Sequence, residues 1–397
     1  MTTEQTTARW AIIARDLYLV AMAVFLVTIG IGILNGADAV EFDRNAILTH
    51  VHSGTIGWLT LTLVASTFLL FGAADRRLML ALAVLVPVYV LAFFTGNFFF
   101  RAIAGTALLA VIVWLISWVW VRYLSGGRSL PRLAVALGLT SFGYGAIVGV
   151  LMQVALALEI QILPGDTIGA HASAMTFGYL VLVAMGLMEW RILGTRGLPA
   201  LGLVQVGALF LGGLVISGAL LIGAEQAGGG IYLLTQLVAV VLFAVRIWPT
   251  ALRRSWVSAD PARHFAVASL WTVAALILFM YIVFTFITAT DPENALPFNV
   301  LIASDHAVYI GVITNIVLGL LSFLFLRGRA PDWVAHAVFW GVNLGLAVFV
   351  VGLIVDTAEI KRIGAPVMGV TLLVALALLA SRAWGATPAV GELEVEA

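Results

Sequence analysis

THVHSGTIGW (residues 49–58) carries two histidines two positions apart, at the entrance to an apolar stretch that runs to about residue 72. Titratable rings beside bilayer-length hydrophobic sequence each need a partner. A helix crosses a bilayer in about 20 residues. Apolar stretches of that length recur near 11–34, 49–72, 77–95, 99–121, 131–157, 170–190, 199–223, 229–248, 264–288, 304–326, 333–354 and 363–381. Of the 397 residues, 62% are hydrophobic and 10% charged, where a soluble domain has about 25% charged. The expected fold class is therefore an all-α membrane protein with twelve transmembrane helices. Residues 1–390 form a single domain, and residues 386–397 an acidic, disordered end.

Basic residues fall in alternate loops. Arg76, Arg77, Arg122, Arg128, Arg132, Arg191, Arg196, Arg246, Arg253, Arg254, Arg263, Arg327 and Arg329 share one side. The other side carries Asp38, Glu41, Asp43, Glu159, Asp166, Glu225, Asp291, Glu293 and Asp305, with only Arg44, Arg101, Lys361 and Arg362 as bases. By the positive-inside rule the first set is cytoplasmic, and both termini with it. The first apolar stretch is too long for a cleaved signal and reads as a retained helix. With no cysteine in the chain, disulfides, thiolate metal sites and iron–sulfur clusters are excluded. Net charge is zero and no basic patch is present, so nucleic acid is not an expected partner.

Two further segments share the opening of the first: AHASAMTFGY (170–179) and ASDHAVYIGV (303–312). Aligned on Gly57, Gly178 and Gly311, the segments are 121 and 133 residues apart, four spans each time. Seven residues before the glycine stand His50, His171 and Ser304; five before stand His52, Ser173 and His306. Four of the six histidines thus occupy two positions of one frame. The expected architecture is three repeats of four helices, about 10–121, 131–248 and 264–381, in arcs around a pseudo-threefold axis.

Residues two apart on an α-helix point about 200° apart, so His50 and His52 cannot serve one ion. In a ring of three equivalent helices, each groove takes the later position of one helix and the earlier position of the next. His52 then meets His171, Ser173 meets Ser304, and His306 meets His50. The opposite sense of crossing would give two His–Ser pairings and one His–His. Two imidazoles facing each other suit a haem bound axially from both sides. Thr49, Ser53, Ser304 and Asp305 are candidates to fix the rings. Arg44, Arg101, Lys361 and Arg362 are candidates for the propionates. His264 and His336, at the other ends of their spans, read as interfacial. Arg15 and Asp16 read as an interfacial ion pair, and the glycine-rich run 207–223 as a packing surface.

Twelve spans in three arcs, histidines at the outer ends of the second and tenth, and the tenth-span motif VLIASDHAVYIGV together resemble the catalytic subunit of haem-copper oxidases and nitric oxide reductases. The run HAVFWGVNLGLAVFVVG (336–352) is similar to the family's eleventh helix, and Lys361–Arg362 match the place of its propionate-binding pair. The resemblance covers the whole chain in topology, though the motifs are short. It implies that His306 binds a low-spin haem together with His50 or His52; the repeat frame favours His50. It also marks departures. Where the family has its high-spin haem ligand, this chain has Ser304, and its seventh span contains no histidine. The usual copper or iron reduction centre is thereby missing.

The expected function is that of a bacterial cytoplasmic-membrane haem b protein, oxidoreductase-like if it is an enzyme at all. It would hold one haem b, or two, near the outer face, for electron transfer with a periplasmic or membrane redox partner or for sensing NO or O2. Copper at His52 and His171 is the alternative to a second haem. A nitric oxide or oxygen reductase with a non-standard site, and a transporter or haem- or copper-handling factor, are the rival classes. Clear carboxylates are scarce in the middle of the spans, which speaks against a proton-coupled carrier.

Overall fold

The computed structural model describes residues 3–195, 197–290, 296–326 and 331–393. Arg196, Asp291, Glu293, Arg327, Arg329 and residues 394–397, which enter the charge asymmetry and the expected acidic end, lie outside the described residues. Among the described residues, twelve helices are long and apolar enough to cross a membrane. They are α1 (Arg9–Gly36), α2 (Arg44–Phe71), α3 (Arg76–Phe94), α4 (Phe98–Ser125), α5 (Leu130–Leu158), α6 (Thr167–Leu193), α7 (Ala200–Ile222), α8 (Glu225–Ala251), α9 (Ala262–Thr288), α10 (Phe298–Leu326), α11 (Asp332–Ile354) and α12 (Ala358–Ala383). No strand occurs among them. The chain is an all-α, multi-pass membrane protein.

Apolar sequence alone cannot say which helices are central, because lipid-facing and buried surfaces are equally hydrophobic. Burial separates them. In α2, α6 and α10, 72% to 89% of the most apolar window is buried inside the protein, against 33% to 56% in the other nine. Polar groups tie these three together: Trp58 Nε1 donates to Thr314 Oγ1 at 2.9 Å, and Tyr309 Oη lies 3.0 Å from Thr176 Oγ1. The halves of α2 and α6 remote from the histidines also pack on each other. A buried polar side chain in this setting needs such a partner, since no water competes for it.

The repeat frame reappears atom by atom. A Cβ on Gly57 would lie 2.3 Å from Val24 Cγ1 in α1, one on Gly178 would lie 3.2 Å from Ser141 Cβ in α5, and one on Gly311 would lie 2.5 Å from Trp271 Cγ in α9. Each register glycine therefore admits the first helix of its own repeat. Four residues on from each contact stand Thr28, Gly145 and Ala275. Their carbonyls accept from His50 Nδ1 at 2.9 Å, from His171 Nδ1 at 2.8 Å and from Ser304 Oγ at 3.2 Å.

Immediately after the histidine turns, α2, α6 and α10 each widen into π-helix, over Ser53–Thr60, Ala174–Leu180 and Ala307–Thr314. All three begin four residues before the register glycine. A π turn bonds residue i to i+5 and leaves the local ladder imperfect. Thr60 Oγ1 bonds the Thr55 carbonyl at 2.9 Å and Thr314 Oγ1 that of Tyr309 at 2.8 Å, both five residues back.

Close packing also joins α6 to α7. A Cβ on Gly213 would sit 2.6 Å from Gly178 Cα and 3.0 Å from its nitrogen. Backbone cannot rotate aside, so Gly213→Ala is expected to cost about 1–3 kcal/mol through overpacking. The check is a lowered thermal midpoint of the detergent-solubilised protein, with Gly207→Ala, where a Cβ meets nothing within 4 Å, as the unchanged control.

At the end of the bundle that bears both chain ends, Arg246 of α8 meets Glu189 of α6 with Nη2–Oε1 at 2.5 Å and Nη1–Oε2 at 3.1 Å. Its Nη1 also donates to Gln205 Oε1 at 2.7 Å, and both ionic side chains are buried. Arg15 pairs with Asp16 at 2.6 Å and donates to the Ala386 carbonyl at 2.6 Å. Ala389 N donates to the Leu324 carbonyl at 3.4 Å, and Val390–Leu393 form a 3-10 turn. Residues 386–393, expected from composition to be disordered, thus fold back onto the bundle, because two helix ends offer them backbone and side-chain partners.

Candidate cofactor sites at the histidine end

Helix α2 begins with Asp43, whose side chain accepts from Ala46 N at 2.7 Å; α6 begins with Asp166, which accepts from Gly169 N at 2.9 Å. These caps fix where each helix starts, and so where its histidines project. The turns up to His52, Ser173 and His306 are α-helical. His50 and His52 accordingly face opposite sides.

The four histidines share one feature. His50 Nδ1 bonds the Thr28 carbonyl and His171 Nδ1 the Gly145 carbonyl, on neighbouring helices. His52 Nδ1 bonds the Leu48 carbonyl at 2.8 Å and His306 Nδ1 the Ile302 carbonyl at 2.9 Å, each one turn back. A carbonyl can only accept, so in every neutral ring the proton sits on Nδ1 and Nε2 keeps its lone pair. The rings are fixed by backbone, not by the side chains of Thr49, Ser53, Ser304 and Asp305. Ser53 instead bonds Thr28 Oγ1 at 2.7 Å and the His50 carbonyl at 3.2 Å.

Glycines leave room for the inter-helix pair. A Cβ on Gly32 would come within 3.0 Å of His50 Cε1, and one on Gly149 within 2.8 Å of His171 Cε1 and Nδ1. At the same frame position in the third repeat stands Phe279, buried, where Ser304 replaces the histidine. The residue with the missing ring is matched by a residue with an added one.

His52 and His171 line a common cavity of about 510 Å³, which His50 and His306 do not line. Ser173 lines the first cavity, Ser304 is spent on Ala275, and no hydrogen bond joins the two serines. Phe93 stacks on His52 with centroids 3.6 Å apart and planes 14° from parallel, and Tyr89 meets its edge at 6.0 Å. Phe349 stands edge-on to His306 at 5.0 Å.

The four basic residues divide. Arg44 and Arg101 line the His52/His171 cavity. Arg101 is buried, donates to Asn45 Oδ1 and the Phe93 carbonyl at 2.9 Å each, and lies over the rings of Phe93 and Phe98. Lys361 and Arg362 form exposed ion pairs with Asp356 at 3.2 Å and Asp38 at 2.9 Å. They do not line that cavity. Among the described residues no three His, Asp or Glu side chains gather as a metal-ion site.

Sequence reading missed a second polar cluster. His264, expected to be interfacial, is buried and shares a hydrogen-bonded network with Asn315, Asn343 and Trp271. A lone histidine beside a charged loop gave no cue, because its hydrogen-bond partner Asn315 lies 51 residues away in sequence.

The chain matches no protein-family model and no curated protein sequence.

Proposed function

We propose that this chain is a haem b protein of a bacterial cytoplasmic membrane, built on a scaffold resembling the catalytic subunit of haem-copper oxidases and lacking its reduction centre. Its twelve helices form three arcs of four about a pseudo-threefold axis, with both termini cytoplasmic and the histidines near the periplasmic face. The charge asymmetry of the loops and the repeated contacts of Gly57, Gly178 and Gly311 support that arrangement. Two bis-histidine sites are assigned: His52 with His171, and His50 with His306.

The observation that carries this reading is the common tautomer of the four rings. Each donates Nδ1–H to a carbonyl, the outer-shell contact that fixes a ligating imidazole and raises its basicity. The residues fit the group in other respects too. A cavity of about 510 Å³ is much larger than a bare ion needs and falls in the range of about 300–1,000 Å³ for cofactor sites. That size, and the lack of a third His, Asp or Glu grouped with the pair among the described residues, favour haem over copper at His52/His171. Arg44 and Arg101 supply cations for carboxylates there.

Bound haem would supply one-electron exchange at its iron. The protein's part is to hold the rings. Phe93 stacked on His52 resists its rotation, and apolar lining excludes water. His52 with His171, and His50 with His306, would hold the group from both sides, so the reading is an electron-transfer unit working with a redox partner at the periplasmic side or in the membrane.

The test is to purify the protein and record oxidised and reduced optical spectra with a haem assay. Sharp low-spin bands and two haems b per chain are expected, with no change under carbon monoxide. A carbon monoxide shift would favour gas sensing through a displaced imidazole. Protein that is folded yet binds no haem would overturn the proposal and leave a transporter as the better reading.

A further inference from the structure

A second cavity, of about 370 Å³, lies at the opposite end of the bundle, among α9, α10, α11 and α12. Its walls include Leu318, Leu326, Val338 and Leu379, and its polar groups include Arg263 and His264. The orientation of His264 follows from its neighbours. Asn315 Nδ2 donates to the carbonyls of Ile310 at 3.2 Å and Gly311 at 3.0 Å, so the amide nitrogen is placed and Oδ1 must accept. That oxygen takes Asn343 Nδ2 at 3.1 Å and His264 Nδ1 at 3.0 Å. Asn343 is fixed in turn, by donating to the Phe339 carbonyl at 2.8 Å and accepting from Trp271 Nε1 at 3.0 Å. His264 therefore carries its proton on Nδ1, and its Nε2 is an acceptor.

Arg263 supplies the donors. Its guanidinium lies over the Phe339 ring at 4.3 Å, with Nη1 2.7 Å from His336 Nδ1 and Nη2 2.7 Å from the Ala335 carbonyl. The residue is almost wholly buried, and its Nε is left without a hydrogen-bond partner. A buried cationic donor without a partner is unfavourable, so a ligand oxygen reaching it would gain a hydrogen bond that no protein group supplies. An acceptor and a donor on one cavity wall suit one group above others: a hydroxyl, which donates a hydrogen bond to His264 Nε2 while its oxygen, or a carbonyl conjugated with it, accepts from Arg263. Asp260 and Asp332 also line the cavity, which disfavours a free anion. The leucine and valine walls call for an alkyl or prenyl tail.

We infer that this cavity binds a membrane-soluble amphiphile through a neutral hydroxyl-bearing head, of the phenol or hydroquinone type or an undissociated carboxylic acid. The inference does not depend on haem at the other end. Calorimetric titration of the full chain in lipid nanodiscs tests it, with an alkyl hydroquinone and a medium-chain fatty acid as probes. The di-O-methylated hydroquinone serves as control. Saturable binding of either probe is expected, weakened at least tenfold in His264→Phe and in Ala375→Trp, which fills the cavity. The O-methylated probe, lacking the proton His264 would accept, should bind at least tenfold more weakly than its parent, a comparison that needs no variant. Preference for one probe names the head. Non-saturable uptake of both probes, equal affinity for the O-methylated compound, or wild-type affinity in both variants would each overturn the inference.

Discussion

Under the proposed two-haem reading, His52→Ala is expected to remove one haem per chain and leave the other, because His52 and His171 line one cavity while His50 and His306 are the proposed ligands of a second site. His171→Ala should give the same spectrum as His52→Ala, since either substitution would leave the proposed site with one imidazole. The double variant should lose no more than the single, the non-additivity of residues acting as a unit. His50→Ala and His306→Ala should form the second equivalent pair, and His52→Ala combined with His306→Ala should empty both sites. Haem content per chain, with reduced-minus-oxidised spectra, reads all of these. A His52→Ala protein that is folded and has lost both haems, or one that matches His306→Ala and not His171→Ala, would contradict the pairing.

The largest stability effect is expected at Glu189. Its carboxylate neutralises Arg246 at two contacts, both side chains are buried, and Gln205 completes the set. Glu189→Ala strands a buried guanidinium and should lower stability by about 3–5 kcal/mol. Coulomb attraction is not the whole matter, because desolvating the two ions costs much of what the pair gains. Replacing both, as Glu189→Leu with Arg246→Met, should therefore recover most of the loss and lie within about 1 kcal/mol of the parent or above it. Thermal or denaturant unfolding of the parent, Glu189→Ala and the double variant in one detergent makes the comparison. A double variant as unstable as Glu189→Ala would mean that the pair contributes well beyond mutual neutralisation.

Much of this was legible in the amino acids. Twelve apolar stretches gave the spans to within a few residues, because bilayer thickness imposes length on a helix. The shared frame of His50, His171 and Ser304 set His52 opposite His171, and these two line one cavity. What could not be read was whatever depends on atoms far apart in sequence. Nothing in THVHSGTIGW says that the Thr28 carbonyl holds His50, or that Phe93 lies flat on His52. Side chains were expected to steady the rings, yet backbone does so. Thr49 is occupied with its own helix, bonding the Asn45 carbonyl at 2.7 Å. Lys361 and Arg362 were matched to propionates by position, and each already has a carboxylate partner. His264 was missed because burial is a property of the packed bundle.

The π-helical turns that follow the histidines act as angular offsets. Each α-helical residue advances the side-chain direction by about 100°, and a π turn, bonding i to i+5, takes up about one residue more than an α turn. Relaxing Ser53–Thr60 to α-helix with its length unchanged would therefore swing His50 and His52 about the axis of α2 by about that angle. Neither ring would then face the helix it now meets. Deleting one residue at the same time would leave both close to their present directions, so the wide turn lets α2 carry an extra residue without turning its histidines away.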